Sequence, residues 1–375
     1  MSELINTNSR AVRNNLLTSV SAIALLGIVW TSDAVADDGH QVVWLELGGQ
    51  LERVDSSQAV FSPPFFDKAS TNVLAPMTEA QLPPHYSIGG EAKVSFTPED
   101  SNWVLSAAIR YGRSNAIKHK HYETHHAIVP ISRSGDVLTS GASTLDEFGD
   151  GQSESRASHF IVDFKAGKDV GLGMFGAHGS SVVSAGVRFA QFTSSADITL
   201  HARPIYHSLP PFHTGSFYLH SRYFQNNTAV LQSRRSTQAV GPALSWDASA
   251  PIAGSGPNAS LSVDWGVNAA ILFGRQRAHV HHQTDGDYFK GLLTVPKYKS
   301  NYANPPVDKT RSRIVTIPNI GGFAGATFRY ANAKVSFGYR ADFFLGAMDN
   351  GIDTAKKSNV GFYGPFASVS IGIGG

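Results

Sequence analysis

The sequence contains no cysteine, so disulfides, thiolate metal sites and a cysteine nucleophile are excluded. Charge is also scarce, because charged residues make up 16% of the chain and the formal net charge is only +2. Nucleic-acid-binding proteins usually carry a clear excess of basic residues, so we expect no nucleic-acid partner. Beyond the N-terminal region, no apolar run reaches the roughly 20 residues that a transmembrane helix needs.

The N-terminal region has the features of a secretory signal peptide. Arg10 and Arg13 precede an apolar stretch at 16–30, and the small-residue sequence Ala-Val-Ala follows at 34–36. A basic start, an apolar segment and an A-x-A site are typical of a leader that is removed on secretion. We therefore expect a signal peptide at 1–36 and a single mature domain at 37–375.

Alternation of apolar and polar residues is the dominant pattern of the remaining chain. In the stretch KVSFGYRADFF, Val335, Phe337, Tyr339 and Phe343 share one parity, and polar residues occupy the other. A period of two predicts β-strands with two unlike faces. Ten segments fit this pattern, and the sixth is weaker because Pro242 interrupts it: 42–53, 86–97, 102–113, 156–166, 180–193, 234–248, 259–275, 314–330, 334–344 and 359–374.

The connections between these segments alternate between long and short. Short connections are predicted at 98–101, 167–179, 249–258 and 331–333, and long ones at 54–85, 114–155, 194–233, 277–313 and 347–358. Outer-membrane barrels have long extracellular loops and short periplasmic turns. The pattern predicts an all-β fold, an antiparallel transmembrane β-barrel of about ten strands. A further hairpin, for which 216–224 is a candidate, extends the range to 10–14 strands.

The apolar faces of the strands could contact lipid or pack in the core of a soluble protein, and three features favour contact with lipid. Many of the segments have ten or more residues, which is longer than usual. Aromatic residues lie near segment ends, as in interfacial girdles, at Trp44, Trp103, Tyr111, Tyr330 and Phe343. The opposite, polar faces carry charges in mid-segment, and on a barrel these faces line the lumen.

The charged residues on those polar faces are the candidate pore-lining residues. They either set ion preference as fixed charges around an open pore or pair across the barrel and fill it. Both outcomes fit a barrel of about ten strands. The candidates are Glu91, Lys93, Arg110, Asp163, Lys165, Arg188, Asp264, Arg340 and Asp342.

The C-terminal third resembles the Legionella-type major outer membrane protein family. The resemblance is carried by VGPALSWDASAPI at 240–252, GVNAAILFGRQ at 266–276, the long stretch 317–354 and GFYGPFASVSIGIGG at 361–375. It implies a pore-forming outer-membrane β-barrel of a Gram-negative bacterium. These stretches are signatures of strands and turns, and they carry no catalytic residues to transfer.

Histidine clusters are the candidate metal sites. KHKHYETHH at 118–126 and HVHHQTDGD at 279–287 both fall in predicted external connections. An H-x-H pattern on an extended segment places two imidazoles on one face, and imidazole suits Zn, Cu or Ni. The candidate ligands are His119, His121, His281 and His282, although a polar loop that tolerates histidine is the simpler explanation of the clusters. No metal or cofactor is required by any motif.

The function that fits these patterns best is passive diffusion of small hydrophilic solutes or ions through an outer-membrane pore. The chain contains neither G-x-S-x-G nor H-E-x-x-H, so we expect no enzyme, and a barrel-embedded hydrolase is the weakest reading. The main alternative is a closed structural or adhesin-type barrel whose long surface loops bind a partner. The expected partners are outer-membrane lipid, small solutes or ions and, as a possibility, further copies of the chain.

Overall fold

The computed structural model describes most of the chain beyond the N-terminal region. The described ranges are 42–56, 73–74, 85–99, 101–114, 117–133, 136–171, 179–207, 221–256, 259–291, 298–303, 307–352 and 354–373. The expected signal peptide therefore lies outside the described residues. Within these ranges, no helix is long and apolar enough to cross a membrane.

Thirteen β-strands make up the described regular structure. They are β1 (Val42–Ser56), β2 (Val73–Leu74), β3 (His85–Thr97), β4 (Trp103–Ser114), β5 (Ile117–Arg133), β6 (Asp136–Asp169), β7 (Ser180–His207), β8 (Ser221–Gly256), β9 (Ala259–Gly291), β10 (Tyr298–Ala303), β11 (Val307–Tyr330), β12 (Ala333–Asp349) and β13 (Lys357–Ile373).

Ten of these strands close into one antiparallel ring. The order around the ring is β1, β3, β4, β6, β7, β8, β9, β11, β12 and β13, and β13 returns to β1. Each of the ten predicted segments lies in one ring strand, so the predicted barrel and its strand number are confirmed. Closure leaves the ring without an open edge, which satisfies the backbone hydrogen bonds that lipid would otherwise leave unpaired.

The predicted long loops are wrong over much of their length. Strand β6 starts at Asp136, β7 runs to His207, β8 starts at Ser221 and β9 runs to Gly291. Most of the stretches assigned to loops at 114–155, 194–233 and 277–313 are therefore strand. These extensions pair with their neighbours in register, so their backbone groups are satisfied without a hydrophobic pattern.

The short connections are close to their predicted positions. Thr97 and Trp103 bound the first of them, and β11 joins β12 through Ala331 and Asn332. Ala331 has a positive φ of 48°, as tight hairpin turns require. The short connections therefore gather at one end of the barrel, and the extended strands gather at the other.

Pro242 does not break the sixth ring strand. It lies inside β8, where it pairs with Val187 of β7. On the other side, the ladder from β8 to β9 stops after Val240 and resumes at Ala243 with the same register. The missing N–H of the proline therefore leaves a local gap in the pairing of β8 with β9, and the strand continues beyond this gap.

Candidate functional site in the barrel lumen

The outer face of the ring carries an apolar belt of limited height. On β9, Val263, Val267, Ile271 and Phe273 point outward with exposures of 38–55%. Beyond Phe273, the outward positions are polar, beginning with Arg275. An apolar band of about 11 residues on a tilted strand matches the hydrocarbon core of a bilayer.

The apolar side of β12 also belongs to this belt. Phe337, Tyr339 and Phe343 are 39–62% exposed on the outside, while Asp342 on the other parity is 2% exposed. Trp103, Tyr111 and Tyr330 also face outward, as the aromatic girdle predicts.

Trp44 does not belong to the girdle. Leu45 and Leu47 take the outward positions on β1, so the opposite parity turns Trp44 inward. Lys334 lies 3.8 Å above its ring.

A cross-lumen network of charges fills the barrel at the level of the belt. We call it the charge layer; its members are Glu91, Arg110, Asp163, Arg188, Arg340 and Asp342. Arg188 binds Asp163 with two parallel hydrogen bonds of 2.6 and 2.8 Å. Arg110 donates to Asp342 at 2.5 Å, and Arg340 donates to Glu91. The network therefore contains three arginines and three carboxylates.

Two of the three ion pairs of the charge layer join strands that are not neighbours in the ring, whereas Arg188 and Asp163 are register partners on adjacent strands. Three ring strands separate β4, which carries Arg110, from β12, which carries Asp342. Arg188 on β7 also donates to Asn268 on β9 at 2.7 Å, and to Asn319 on β11. A cavity of about 10 Å³ remains beside Gln50, Arg110 and Arg340, which is room for about one water molecule.

The other predicted lumen residues lie inside the barrel but outside these direct contacts. Asp264 accepts hydrogen bonds from Ser249 and Ser262 at 2.5 and 2.9 Å, near the short connections. Lys165 lies close to Asp163 and Asp247. Lys93 pairs in register with Glu46 of β1. The asparagines of the network, Asn268 and Asn319, were not predicted as site residues.

An apolar plug lies above the charge layer, on the side of the extended strands. We call it the aromatic layer and define it as Phe192, Phe344 and Phe362. The ring centres of Phe192 and Phe344 are 4.7 Å apart, and those of Phe192 and Phe362 are 6.0 Å apart. Because β7 and β12 stand on opposite walls, the rings meet across the lumen. Buried side chains of neighbouring strands, including Leu272 and Ile317, surround them.

The end of β12 leaves the wall and folds into the lumen. We call residues 346–352 the inward segment. Its register shifts between Phe344 and Met348, and Gly346 has a positive φ of 67°. Thr237 on β8 donates a hydrogen bond of 2.6 Å to the carbonyl of Ala347, and Gln276 on β9 donates one of 2.6 Å to Gly346.

Arginines on the inner wall hold the tip of the inward segment. Arg311 donates to the carbonyls of Gly351 and Ile352 at 2.8 and 2.6 Å, and to Asp349 at 3.2 Å. Burial alone would raise the pKa of Asp349. Amide hydrogen bonds from Lys356 and Gly351, together with Arg311, nevertheless hold this pKa below its usual value. The lumen is therefore occupied at three successive levels.

The structure does not bring the candidate metal ligands together. His281 points outward and contacts Asp308 at 2.8 Å, while its neighbour His282 is buried on the inner face. Adjacent residues of a strand face opposite sides, so these two cannot share an ion. His119 and His121 lie in β5, but their side chains are outside the described set. Among the side chains that are described, no group of three His, Asp or Glu could hold a metal.

A closed antiparallel ring with an apolar outer belt and a polar, charged interior defines a transmembrane β-barrel. No family model matches the chain, and no curated protein matches it. The translocator domain of the autotransporter NalP from Neisseria meningitidis is 10% identical, with a TM-score of 0.19 over 96% of this chain and 94% of that one.

Two other solved structures are similar at the same level. The transport unit of the Escherichia coli autotransporter AIDA-I is 6% identical, with a TM-score of 0.22 over 91% of this chain and 93% of that one. The Pseudomonas putida toluene transporter TodX is 9% identical, with a TM-score of 0.17 over 90% of each chain. Because these TM-scores are low, the assignment of the fold is based on the strand register and not on these similarities.

Proposed function

We propose that this protein is a gated channel for small hydrophilic solutes or ions in the outer membrane of a Gram-negative bacterium. The observation that carries the proposal is the charge layer. Its arginines and carboxylates cross the lumen and hold one another, as in the contact of 2.5 Å between Arg110 and Asp342. The described state is then the closed state of the channel.

The chemistry of the charge layer supports a gate more than a permanent plug. Buried ion pairs are often no more stabilising than apolar residues of similar volume, because desolvation offsets their attraction. A barrel that only needed to be filled could therefore use apolar side chains throughout. Charged groups can exchange their partners for water, so the same residues can line a hydrated path once they separate.

The apolar belt and the expected leader support the proposed location. The expected signal peptide directs the chain out of the cytoplasm, and the apolar belt matches a bilayer. The resemblance of the C-terminal third to the Legionella-type major outer membrane protein family supports the same location.

Conductance in planar lipid bilayers tests this function. We expect the wild-type barrel to give small, discrete steps separated by long closed periods. Asp342→Asn weakens the hold on Arg110 and should increase the open fraction several-fold. Asp264→Asn is the matched control, because Asp264 lies outside the charge layer, and it should leave the open fraction unchanged.

A second function is favoured by the extended strands. Strands β8 and β9 have 36 and 33 residues, far more than the 9–11 or so that cross a bilayer. They form a paired surface beyond the belt that could bind a partner. If folded barrels, identified by anomalous migration of unboiled protein on a gel, never conduct as wild type or as Asp342→Asn, the channel is excluded and this structural function remains.

A further inference from the structure

Two rows of inward-facing residues form an unusual cluster above the aromatic layer. The register of β8, β9 and β11 places Arg235, Ala278 and Arg311 side by side, and Arg313 lies one row closer to the belt. Ala278 has no side chain beyond its Cβ and is 2% exposed. It leaves space between the two flanking guanidinium groups. We call Arg235, Arg311 and Arg313 the arginine layer.

Among the residues that the structure describes, one carboxylate, that of Asp349, forms an ion pair with the arginine layer. The charged groups that act on Arg235 are Asp349 and Arg311, and the carboxylate of Asp349 contacts Arg311 at 3.2 Å. Burial lowers the pKa of Arg235, Asp349 opposes the shift and Arg311 adds to it, and together they bring this pKa to about 10. Arg235 lies above the apolar belt, so its burial is burial within protein.

Within the described part of the chain, two guanidinium donors of this layer have no acceptor. Arg235 Nε and Arg313 Nη2 are buried and make no hydrogen bond, although Arg235 is only 5% exposed. A buried donor on a charged group without a partner is costly. The layer therefore has capacity for further oxygen atoms.

The inward segment already supplies the kind of atom that this layer binds. The carboxylate of Asp349 and the carbonyl oxygens of Gly351 and Ile352 accept from Arg311 at 2.6–3.2 Å. Arg235 reaches the carbonyl of Gly351 at 3.5 Å. An oxygen-rich segment thus occupies a basic pocket in the closed state.

We propose that the arginine layer is a binding site for a small oxyanion of the phosphate or carboxylate type, and that the inward segment occupies this site when the channel is closed. Guanidinium groups pair with such anions through two parallel hydrogen bonds. The role of the site in permeation rests on the proposed channel function, but anion binding itself does not.

Calorimetric titration of inorganic phosphate into the folded chain in detergent tests the site. Asp349→Asn keeps an acceptor for the amides of Gly351 and Lys356 but removes the competing charge. We expect it to bind phosphate at least about tenfold more tightly than wild type does, because one charge-assisted competitor is lost. Asp308→Asn is the matched control, since Asp308 lies on the outer face against His281.

A second variant keeps the test decisive. Adding Arg235→Gln to Asp349→Asn should abolish the gain while the unboiled protein still migrates as a folded barrel. Equal phosphate affinities for Asp349→Asn, Asp308→Asn and wild type would overturn the proposal. A barrel that binds phosphate but never conducts would leave the site intact and exclude the channel, so the two failures are distinguishable.

Discussion

The charge layer and the arginine layer both bury arginine side chains, but they provide different partners for them. In the charge layer, three arginines meet three carboxylates, and Arg188 is held by both oxygens of Asp163. In the arginine layer, Arg311 relies on one carboxylate and two backbone carbonyls, all from the inward segment.

This difference separates side chains that are held by ring strands on both sides from side chains that bind a segment inside the lumen. The charge layer is joined by side chains from strands that are locked in the ring. The arginine layer depends on a segment that folds into the lumen after a register shift and is paired there with the start of β13, at Met348 and Asp349. We therefore expect changes in the charge layer to affect the stability of the barrel as well as its opening, and changes in the arginine layer to affect opening with little effect on stability.

The largest expected effect is that of Arg188→Ala. Removing this side chain, which is 1% exposed, takes two hydrogen bonds from the buried carboxylate of Asp163 and leaves it the longer contact of 4.0 Å with Arg110. Such a change typically costs about 3–5 kcal/mol of unfolding free energy, which urea unfolding of the barrel in lipid vesicles measures. Arg156→Ala is the control: Arg156 pairs with Glu154 on the outer face at 2.7 Å, and its loss should cost under about 1 kcal/mol.

The next prediction compares a charged substitution within the apolar belt with one on the part of β9 that extends beyond the belt. Val267→Arg places a charge within the apolar belt and should cost about 2–4 kcal/mol. His279→Arg changes an outward position of the same strand beyond the belt and should cost almost nothing. Similar losses of unfolding free energy for both variants, measured in the same vesicles, would contradict the assigned position of the bilayer.

The ten ring strands could be predicted because lipid imposes alternation on their outer faces. On β12, Phe337 and Tyr339 face outward while Arg340 and Asp342 face the lumen, as the sequence indicates. The outer ends of the strands were missed because the outward positions of β9 beyond Phe273 are polar, starting with Arg275 and Arg277. Without an apolar side, a strand has no period to detect.

The inward segment could not be predicted for a different reason. Its sequence, including NGI at 350–352, reads as a surface turn. Its position depends on Thr237, which is 110 residues away, and on Arg311, which is 38 residues from Asp349. Contacts over such separations leave no periodic signal in a single sequence. The pairing of charges across the lumen is hidden in the same way.

A smaller effect is expected for Arg311→Gln. This variant loses the hydrogen bonds to Asp349, Gly351 and Ile352 but leaves the ring intact. We expect hydrogen exchange at the amides of Gly351 and Lys356 to accelerate by about tenfold or more, because bonds to a charged donor contribute about 1.5–3 kcal/mol. Unchanged exchange at these two amides would mean that Arg311 does not anchor the segment.

The smallest effect concerns pH. The folded-state pKa of Asp349 lies below its usual value of 3.8. The carboxylate therefore stabilises the inward segment above pH 3.8, and this contribution is lost as pH falls through the lower, folded-state pKa. Arg311 and Arg235 are the charged groups that face it. The open fraction in bilayers should rise with acid in wild type, and less in Asp349→Asn; an equal rise in both would assign the response to other carboxylates.

We expect the lumen to conduct only when the inward segment detaches from the inner faces of β8, β9 and β11. Thr237 Oγ1 lies 3.5 Å from the sulfur of Met348, and the chain has no cysteine of its own. A Thr237→Cys/Met348→Cys variant can therefore tether the segment with one disulfide, verified by mass. Single-channel recording should show no conductance steps when this variant is oxidised and discrete steps after reduction, with an open fraction at least that of wild type because the hydrogen bond from Thr237 to Ala347 is lost. Steps of equal size and frequency in both states would contradict the account.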